Sequence, residues 1–354
     1  MNMFKKVITW AMLSIMMQLA GLLFLDKVVF QHSSDFKVKE VEAVKKEAVS
    51  INVPTSATEV SSAYSGRYVS YKEGDKLMLV NTKTSETKEV LVDKGAEIIY
   101  SSWLPKDNYL IIGEKVKGDS GSNIIRVVTY NPRTGTINPV INELCTYQKG
   151  MQIDSIVSSG SGTKYVSVSR GGFNSTIYRI DINDKKRELP SKVANFGGMK
   201  VFQHKDELVY ENALDKTFYR YTNMKLNKLK FNNSKNLTLL SVDDNDNIYM
   251  GEMVEDKISK IIYGKADVNT SSWTTVTLEK SKNPEDIHVN SKSEIMINDN
   301  LEGKITNLTT GDTISYEGMF IQLTDKIICS SSNGKLFIKS LSDVDKKEEV
   351  KDKK

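Results

Sequence analysis

A short strand pattern recurs seven times beyond residue 50, and this constrains the fold more than any other feature, because a repeated strand unit buries its apolar face only against the next copy. The copies read RYVSY (67–71), YLIIG (109–113), KYVSV (164–168), ELVYE (207–211), NIYMG (247–251), EIMIN (294–298) and KIICS (326–330). Their Val, Ile and Tyr content suits a pleated, buried surface. A partner strand follows each after a turn rich in Gly, Asn, Asp or Ser: KLMLV from 76, IIRVVTY from 124, TIYRIDI from 176, TFYRYT from 217, KIIYGKA from 260, GKITNLT from 303 and GKLFIKS from 334. Six pairs lead into a shorter segment, at 88 (KEVLV), 137 (INPVI), 186 (KREL), 227 (NKLKF), 273 (WTTVTL) and 312 (DTISY). The seventh has none. INVP at 51–54 is a spare strand that would fill the gap from the other end of the chain and close a ring, removing the sheet edges.

The body from 51 to 343 gives about 42 residues per unit, the length of a four-stranded propeller blade. The expected fold is therefore all-β, a propeller of seven four-stranded blades. Six blades would result if one pair were misread, and a β-sandwich is the alternative architecture. One unit also carries a motif. Trp103-Leu104-Pro105-Lys106-Asp107-Asn108-Tyr109-Leu110, then Ile124-Ile125-Arg126-Val127-Val128-Thr129-Tyr130-Asn131-Pro132-Arg133-Thr134-Gly135, resembles the blades of TolB-like and WD40-like β-propellers. Those alternate a W-S-P-D-G-K-type turn with an I-Y-x-x-D-x-x-T-G strand and turn; Leu104 stands where Ser is usual. Ser161 to Tyr165 and Ile177 to Asp181 echo it without the Trp and Pro. The resemblance implies a fold and a binding platform, and no activity.

Ahead of the body, 7–25 (VITWAMLSIMMQLAGLLFL) has no charge over 19 residues. As a helix it would measure about 28 Å, close to a hydrocarbon core. With Val28, Val29 and Phe30 beyond Asp26 and Lys27, residues 7–30 are expected to be a transmembrane signal anchor whose partner is the lipid bilayer. A buried core helix would show a polar face, and a cleaved signal peptide would have a shorter apolar run and a small-residue cleavage site. Lys5 and Lys6 predict that residues 1–6 stay inside and the body outside the cell membrane. Residues 31–50, with four Lys against four acids, read as a stalk, and 344–354 as a charged, mobile tail.

Chemistry-bearing motifs are sparse. Gly118-Asp119-Ser120-Gly121 matches the surroundings of a serine nucleophile but falls in a turn that favours those residues anyway. The three histidines, His32, His204 and His288, form no zinc-ligand spacing. Asp243 to Asn247 starts like a calcium loop, yet has Ile248 for the sixth-position Gly and Val254 for the closing Glu, and reads as a polar hairpin turn. Cys145 and Cys329 lie in non-adjacent units, so no bridge is expected. Asn174, Asn236 and Asn307 begin glycosylation sequons that matter only in a eukaryotic cell. Phosphate-binding loops are absent, and the net charge of +4 gives no nucleic-acid footprint. No catalytic, cofactor-binding or metal residue is assigned. The expectation is a non-catalytic scaffold for an envelope protein. The first alternative is a glycan-binding module using Tyr64, Trp103, Tyr147, Phe173 or Trp273, and the second is a hydrolase or lyase working in the central channel.

Overall fold

The computed structural model describes residues 2–24, 48–171, 173–190, 193–231 and 236–341. Two compact units, Met1–Lys46 and Glu47–Lys354, are distinguished. In the first, Asn2–Phe24 is an α-helix, with Trp10, Met12, Met16, Met17 and Leu22 exposed. Among the described residues no helix is long and apolar enough to cross a membrane. Residues 25–30 of the expected 7–30 span, 31–47 of the stalk and the tail 344–354 lie outside the described residues.

The second unit is all-β. Six antiparallel sheets hold seven four-stranded blades, because the sheets of the third and fourth blades are joined into one of eight strands. The joint is made by Phe173–Ile180, the third strand of blade 3, which pairs with the inner strand of blade 4 through Phe173↔Asn195 and Ser175↔Val193. Blades 1 to 6 span 58–89, 97–146, 151–188, 193–229, 237–282 and 287–315. Blade 7 takes three strands from 319–340 and its outer strand from the start of the body. There Val49–Asn52 pairs antiparallel with Lys335–Ser340, Ile51 opposite Leu336. The two ends of the body thus close the ring as the spare strand predicts, although that strand begins at Val49, two residues before the expected boundary.

Seven clusters of buried apolar side chains fall at the junctions between blades. One couples blades 2 and 3 through Ile111, Ile125, Leu144, Ile153 and Val166. Another couples blades 7 and 1 through Ile327, Ile338, Val69 and Tyr71, with Ile51 built in. An open row of seven blades has six junctions; the seventh cluster is the mark of closure. The recurring strands of the sequence repeat are the second strands of the blades. Leu110–Lys117, Lys164–Arg170 and Leu208–Asn212 are buried nearly throughout, because neighbouring blades cover both their faces. Each fully buried Ile or Leu there contributes about 1.5–3 kcal/mol.

Polar ties complement the apolar ones. At the seam between blades 7 and 1, Gln322 acts like a strand edge: its Oε1 accepts from Ser62 N at 2.8 Å and its Nε2 donates to Ser62 O at 3.1 Å. Between blades 4 and 5, the buried Glu211 accepts from Thr238 Oγ1 at 3.1 Å and Leu239 N at 3.0 Å. Its path crosses Gly197, where a Cβ would lie 2.7 Å from the Glu211 side chain, so only glycine leaves room. Arg179 of blade 3 grips Asp206 of blade 4, which also accepts from Tyr165 Oη at 2.7 Å. Although burial works against it, these bonds hold the Asp206 carboxyl below its usual range.

Candidate binding sites of the ring

In an up-and-down blade, the turns from inner to second strand lie on one face of the disc and those from second to third strand on the other. The first kind recurs with one closing bond: Ala63 N donates to Tyr68 O, Leu104 N to Tyr109 O, Ser159 N to Thr163 O, Asp243 N to Asn247 O and Asn290 N to Glu294 O, all within 2.9–3.1 Å. These turns and the inner-strand ends before them surround a cavity of about 300 Å³. Tyr64, Lys106, Lys200, Ser241, His288 and Asp325 line it, from blades 1, 2, 4, 5, 6 and 7 respectively. It therefore lies at a mouth of the central channel and exists only when the ring is closed.

Most polar groups around this mouth are spent on one another. Lys106 pairs with Asp244 across the ring, from blade 2 to blade 5. Asp325 Oδ1 accepts from Ser291 N at 3.0 Å and its Oδ2 from Tyr64 Oη at 3.4 Å. Thr324 Oγ1 donates to Tyr64 O at 2.9 Å. Burial, then the charge of Asp325, raises the Tyr64 phenol above its ordinary value. Lys200, in the inner strand Val193–Val201, is exposed. Crowding by the surrounding wall lowers the pKa of its ammonium, although the residue as a whole is exposed. His288, in Ile287–Val289, packs on Phe320 with ring centroids 5.2 Å apart, and its Nε2 is buried without a partner. Desolvation holds its pKa down to about 4, with Asp286 opposing and Lys200 adding to the shift.

A linkage effect follows. The folded-state pKa of His288 is depressed, so folding resists its protonation; its contribution is intact above the unfolded value of about 6.5 and lost as pH falls through about 4. His288→Phe is expected to flatten the acid limb of stability between those values, by on the order of 2–3 kcal/mol at full extent. Urea titrations at pH 4 and pH 7 measure it; an unchanged pH dependence would place the acid sensitivity elsewhere.

The motifs of the sequence fall as follows. Gly118 to Gly121 forms the exposed turn after Leu110–Lys117, closed by Gly118 N to Ser122 O at 2.8 Å. Asp243 is a turn-former: its Oδ1 takes the N–H groups of Asn245 and Asn247 at 2.9 and 2.8 Å, and its Oδ2 takes Tyr249 Oη at 2.9 Å. Its neighbours Asp244 and Asp246 are ion-paired to Lys106 and Lys205. Among the described residues no group of His, Cys, Asp and Glu is arranged to hold a metal. His204 is exposed on a turn of blade 4, away from the strand bearing His288. Cys145 and Cys329 are free thiols. Burial pushes the Cys329 thiol up to about 12, which makes it inert.

The aromatic candidates do not form a row. Trp273, one of the five aromatics named for the glycan alternative, is 8% exposed, in the core as most propeller aromatics are; its ring stands edge-on to Phe231 at 5.5 Å and Nε1 donates to Lys265 O. It is seated on Gly264, where a Cβ would lie 2.5 Å from the indole. Trp103 is half-buried and donates to Ser61 O, and Tyr147 packs against the cluster between blades 2 and 3. Of the five, Phe173 alone is exposed, at 58%. What the sequence reading missed is the company Phe173 keeps, a set of exposed aliphatic tips on the next three blades. On the face opposite the cavity, Phe173, Leu214, Val254 and Leu301 stand exposed at the second-to-third-strand turns of blades 3, 4, 5 and 6, Leu301 fully so. Ile182, Met224, Val268 and Leu308 are exposed at the outer turns of the same four blades on the other face. The corresponding tips of blades 1 and 2 are Glu73-Gly74-Asp75 and Gly118 to Ser122, which are polar.

No protein-family model matches this chain, and no curated protein does. Among solved structures, a chain from the crystal structure of the mitotic checkpoint complex is similar with a TM-score of 0.55 at 12% identity, over 86% of this chain and 98% of that one. At that identity the likeness is one of fold, and it agrees with a body of four-stranded antiparallel propeller blades.

Proposed function

We propose that this chain is a membrane-anchored, non-catalytic scaffold whose propeller binds a protein partner outside the cell membrane. The observation that carries the binding half is the run of exposed Phe173, Leu214, Val254 and Leu301 on four consecutive blades, against polar tips on the first two. Exposed apolar side chains recurring at turn tips suit a protein interface. A glycan groove would need stacked aromatic faces, and Trp273, Trp103 and Tyr147 are committed to packing. The similar chain from a checkpoint complex supports an interaction role by analogy of fold. The anchor half rests on the uncharged stretch 7–25 and on the outward apolar side chains of Asn2–Phe24; its orientation rests on Lys5 and Lys6.

The test is site-specific photocrosslinking of the full-length protein in cells. A photoreactive residue is set at Leu214 or Leu301, with Asp75 and Asp119 as controls. One protein adduct formed at Leu214 and Leu301 and absent at the controls is the expected result. Adducts to glycan alone, or equal labelling at all four positions, would overturn it. Removal of residues 2–24 is expected to release the body from the membrane pellet; retention would refute the anchor.

A further inference from the structure

Asn333-Gly334 is the one place in the chain where glycine follows asparagine. The pair joins Ile327–Ser332 to Lys335–Ser340, the second and third strands of blade 7, with Ser332 opposite Lys335. Two linking residues with φ of 50° and 74° make a type I′ hairpin turn. Asn333 is exposed, and among the described residues its side-chain amide makes no hydrogen bond. The asparagines of other turns use theirs. Asn81, Asn131, Asn290 and Asn307 each accept through Oδ1 from the backbone N–H two residues on, at 2.8–3.1 Å. The free amide of Asn333 leaves its Cγ open to attack by the backbone nitrogen of Gly334, which closes a cyclic imide. A Cβ on the following residue would crowd that ring, and glycine has none. The native turn holds Asn333 in the left-handed region, so ring closure waits on the tip swinging open, and an exposed hairpin tip opens at low cost.

The atoms balance with water as the only co-reactant. The bond from Gly334 N to Asn333 Cγ forms, the Cγ–Nδ2 bond breaks, and the Gly334 amide proton leaves with Nδ2 as ammonia. Water then opens the imide at either carbonyl. Opening at Cγ leaves aspartate; opening at the main-chain carbonyl leaves isoaspartate, in which the chain runs through Cβ and gains one backbone atom. What lies against the turn gives this a consequence. Val53 N donates to Gly334 O at 2.9 Å, just past the closing strand Val49–Asn52, and Asn52 is the partner of Lys335. A two-residue turn has no slack for an added backbone atom, so the extra atom draws Gly334 O away from Val53.

We propose that Asn333 is a self-modification site: through the imide formed with Gly334 it converts to aspartate and isoaspartate, and the isoaspartate form loosens the strand that closes the ring. The site does not depend on the scaffold reading, because it draws on the backbone of one turn and on no partner.

The experiment incubates the full-length protein in detergent micelles at 37 °C, at pH 8.5 and at pH 6, where fewer backbone amides are deprotonated for the attack. Peptide mass spectrometry with isoaspartyl methyltransferase labelling scores each asparagine, and the free hexapeptide SSNGKL sets the reference rate. Conversion at Asn333 is expected within tenfold of the hexapeptide, at least tenfold faster than at Asn290, and faster at pH 8.5 than at pH 6. Asn333→Gly, which keeps a residue suited to a type I′ turn, should abolish the label there. A melting temperature of the fresh variant within a few degrees of the parent shows that it folds. Hydrogen exchange at Val53 is expected to be at least tenfold faster in the isoaspartate fraction than in fresh protein, and unchanged by the same incubation of Asn333→Gly. Conversion at Asn333 more than tenfold slower than in the hexapeptide would overturn the site. Isoaspartate at 333 with Val53 exchange unchanged would overturn its effect on closure.

Discussion

Deleting Val49–Asn52 is expected to cost the body about 5–8 kcal/mol. The strand supplies backbone pairing along four residues to Lys335–Ser340, and Ile51 is 3% exposed within the cluster of blades 7 and 1. Pairing at about 1 kcal/mol per hydrogen bond and about 2–4 kcal/mol for the isoleucine account for that sum. It is comparable with the whole stability of an ordinary domain, about 5–15 kcal/mol. The truncated protein would also present the third strand of blade 7 as a bare edge, and aggregation is expected to accompany unfolding. Ile51→Ala isolates the side-chain share and should cost about 2–4 kcal/mol by urea titration. A deletion variant that melts within a few degrees of the parent would mean that the ring does not need the strand.

The second large effect is expected at Arg126→Met. Glu114 is completely buried in the second strand of blade 2, and its Oε2 accepts from Arg126 Nε at 2.7 Å, while Oε1 has no partner. Arg126 also pairs with Asp93 at 2.8 Å. Burial raises the Glu114 carboxyl above its ordinary value even with Arg126 opposing. Removing the arginine leaves a buried carboxylate with no cation, which costs about 3–5 kcal/mol at neutral pH. The pH sign follows from the raised folded value. The native state holds the proton more tightly, so the contribution is fully present below the unfolded value and lost as pH rises through the folded one. Arg126→Met should therefore regain stability on acidification, and adding Glu114→Gln should restore much of the loss at neutral pH. Equal destabilisation at pH 5 and pH 7 would assign the loss to the packing of the arginine stem.

How much of this was legible depends on which strand of a blade is considered. The second strands were found as the repeat because two neighbouring blades bury both their faces, leaving dense runs such as LIIG at 110–113. The third and outer strands followed from turn residues. Inner strands such as Thr58–Ser62, Met151–Ser158 and Val193–Val201 escaped, for an identifiable reason. In six of the seven blades the pairing of inner with second strand shifts at a bulge, as between Ile153 and Ser155 or Phe196 and Gly198. A bulge breaks the two-residue alternation, and the channel wets one face, so neither periodicity nor hydrophobicity marks these strands. Lys200 was invisible for the same reason: within GGMKV it resembles any surface lysine until six blades converge on it. Trp273 packs in the core as most propeller aromatics do, and what the residues alone did not show is Gly264, which makes room beneath it.

The channel, its cavity and the division of the turns into two faces all require that the first strand of the body completes the last blade. Disulfide trapping of Asn52→Cys with Lys335→Cys tests this most directly, because the two positions are Cα partners in the antiparallel register. Opposed Cα atoms in such a pair lie about 4.5–5.5 Å apart, inside the range a disulfide tolerates. On mild oxidation of dilute full-length protein, an intramolecular 52–335 link in most chains is the expected result, identified by mass spectrometry of the joined peptides. The pair Asn52→Cys with Lys88→Cys, on the outer strand of blade 1, should stay unlinked. A folded protein that forms no 52–335 bond, or forms it only between molecules, would contradict the closed ring.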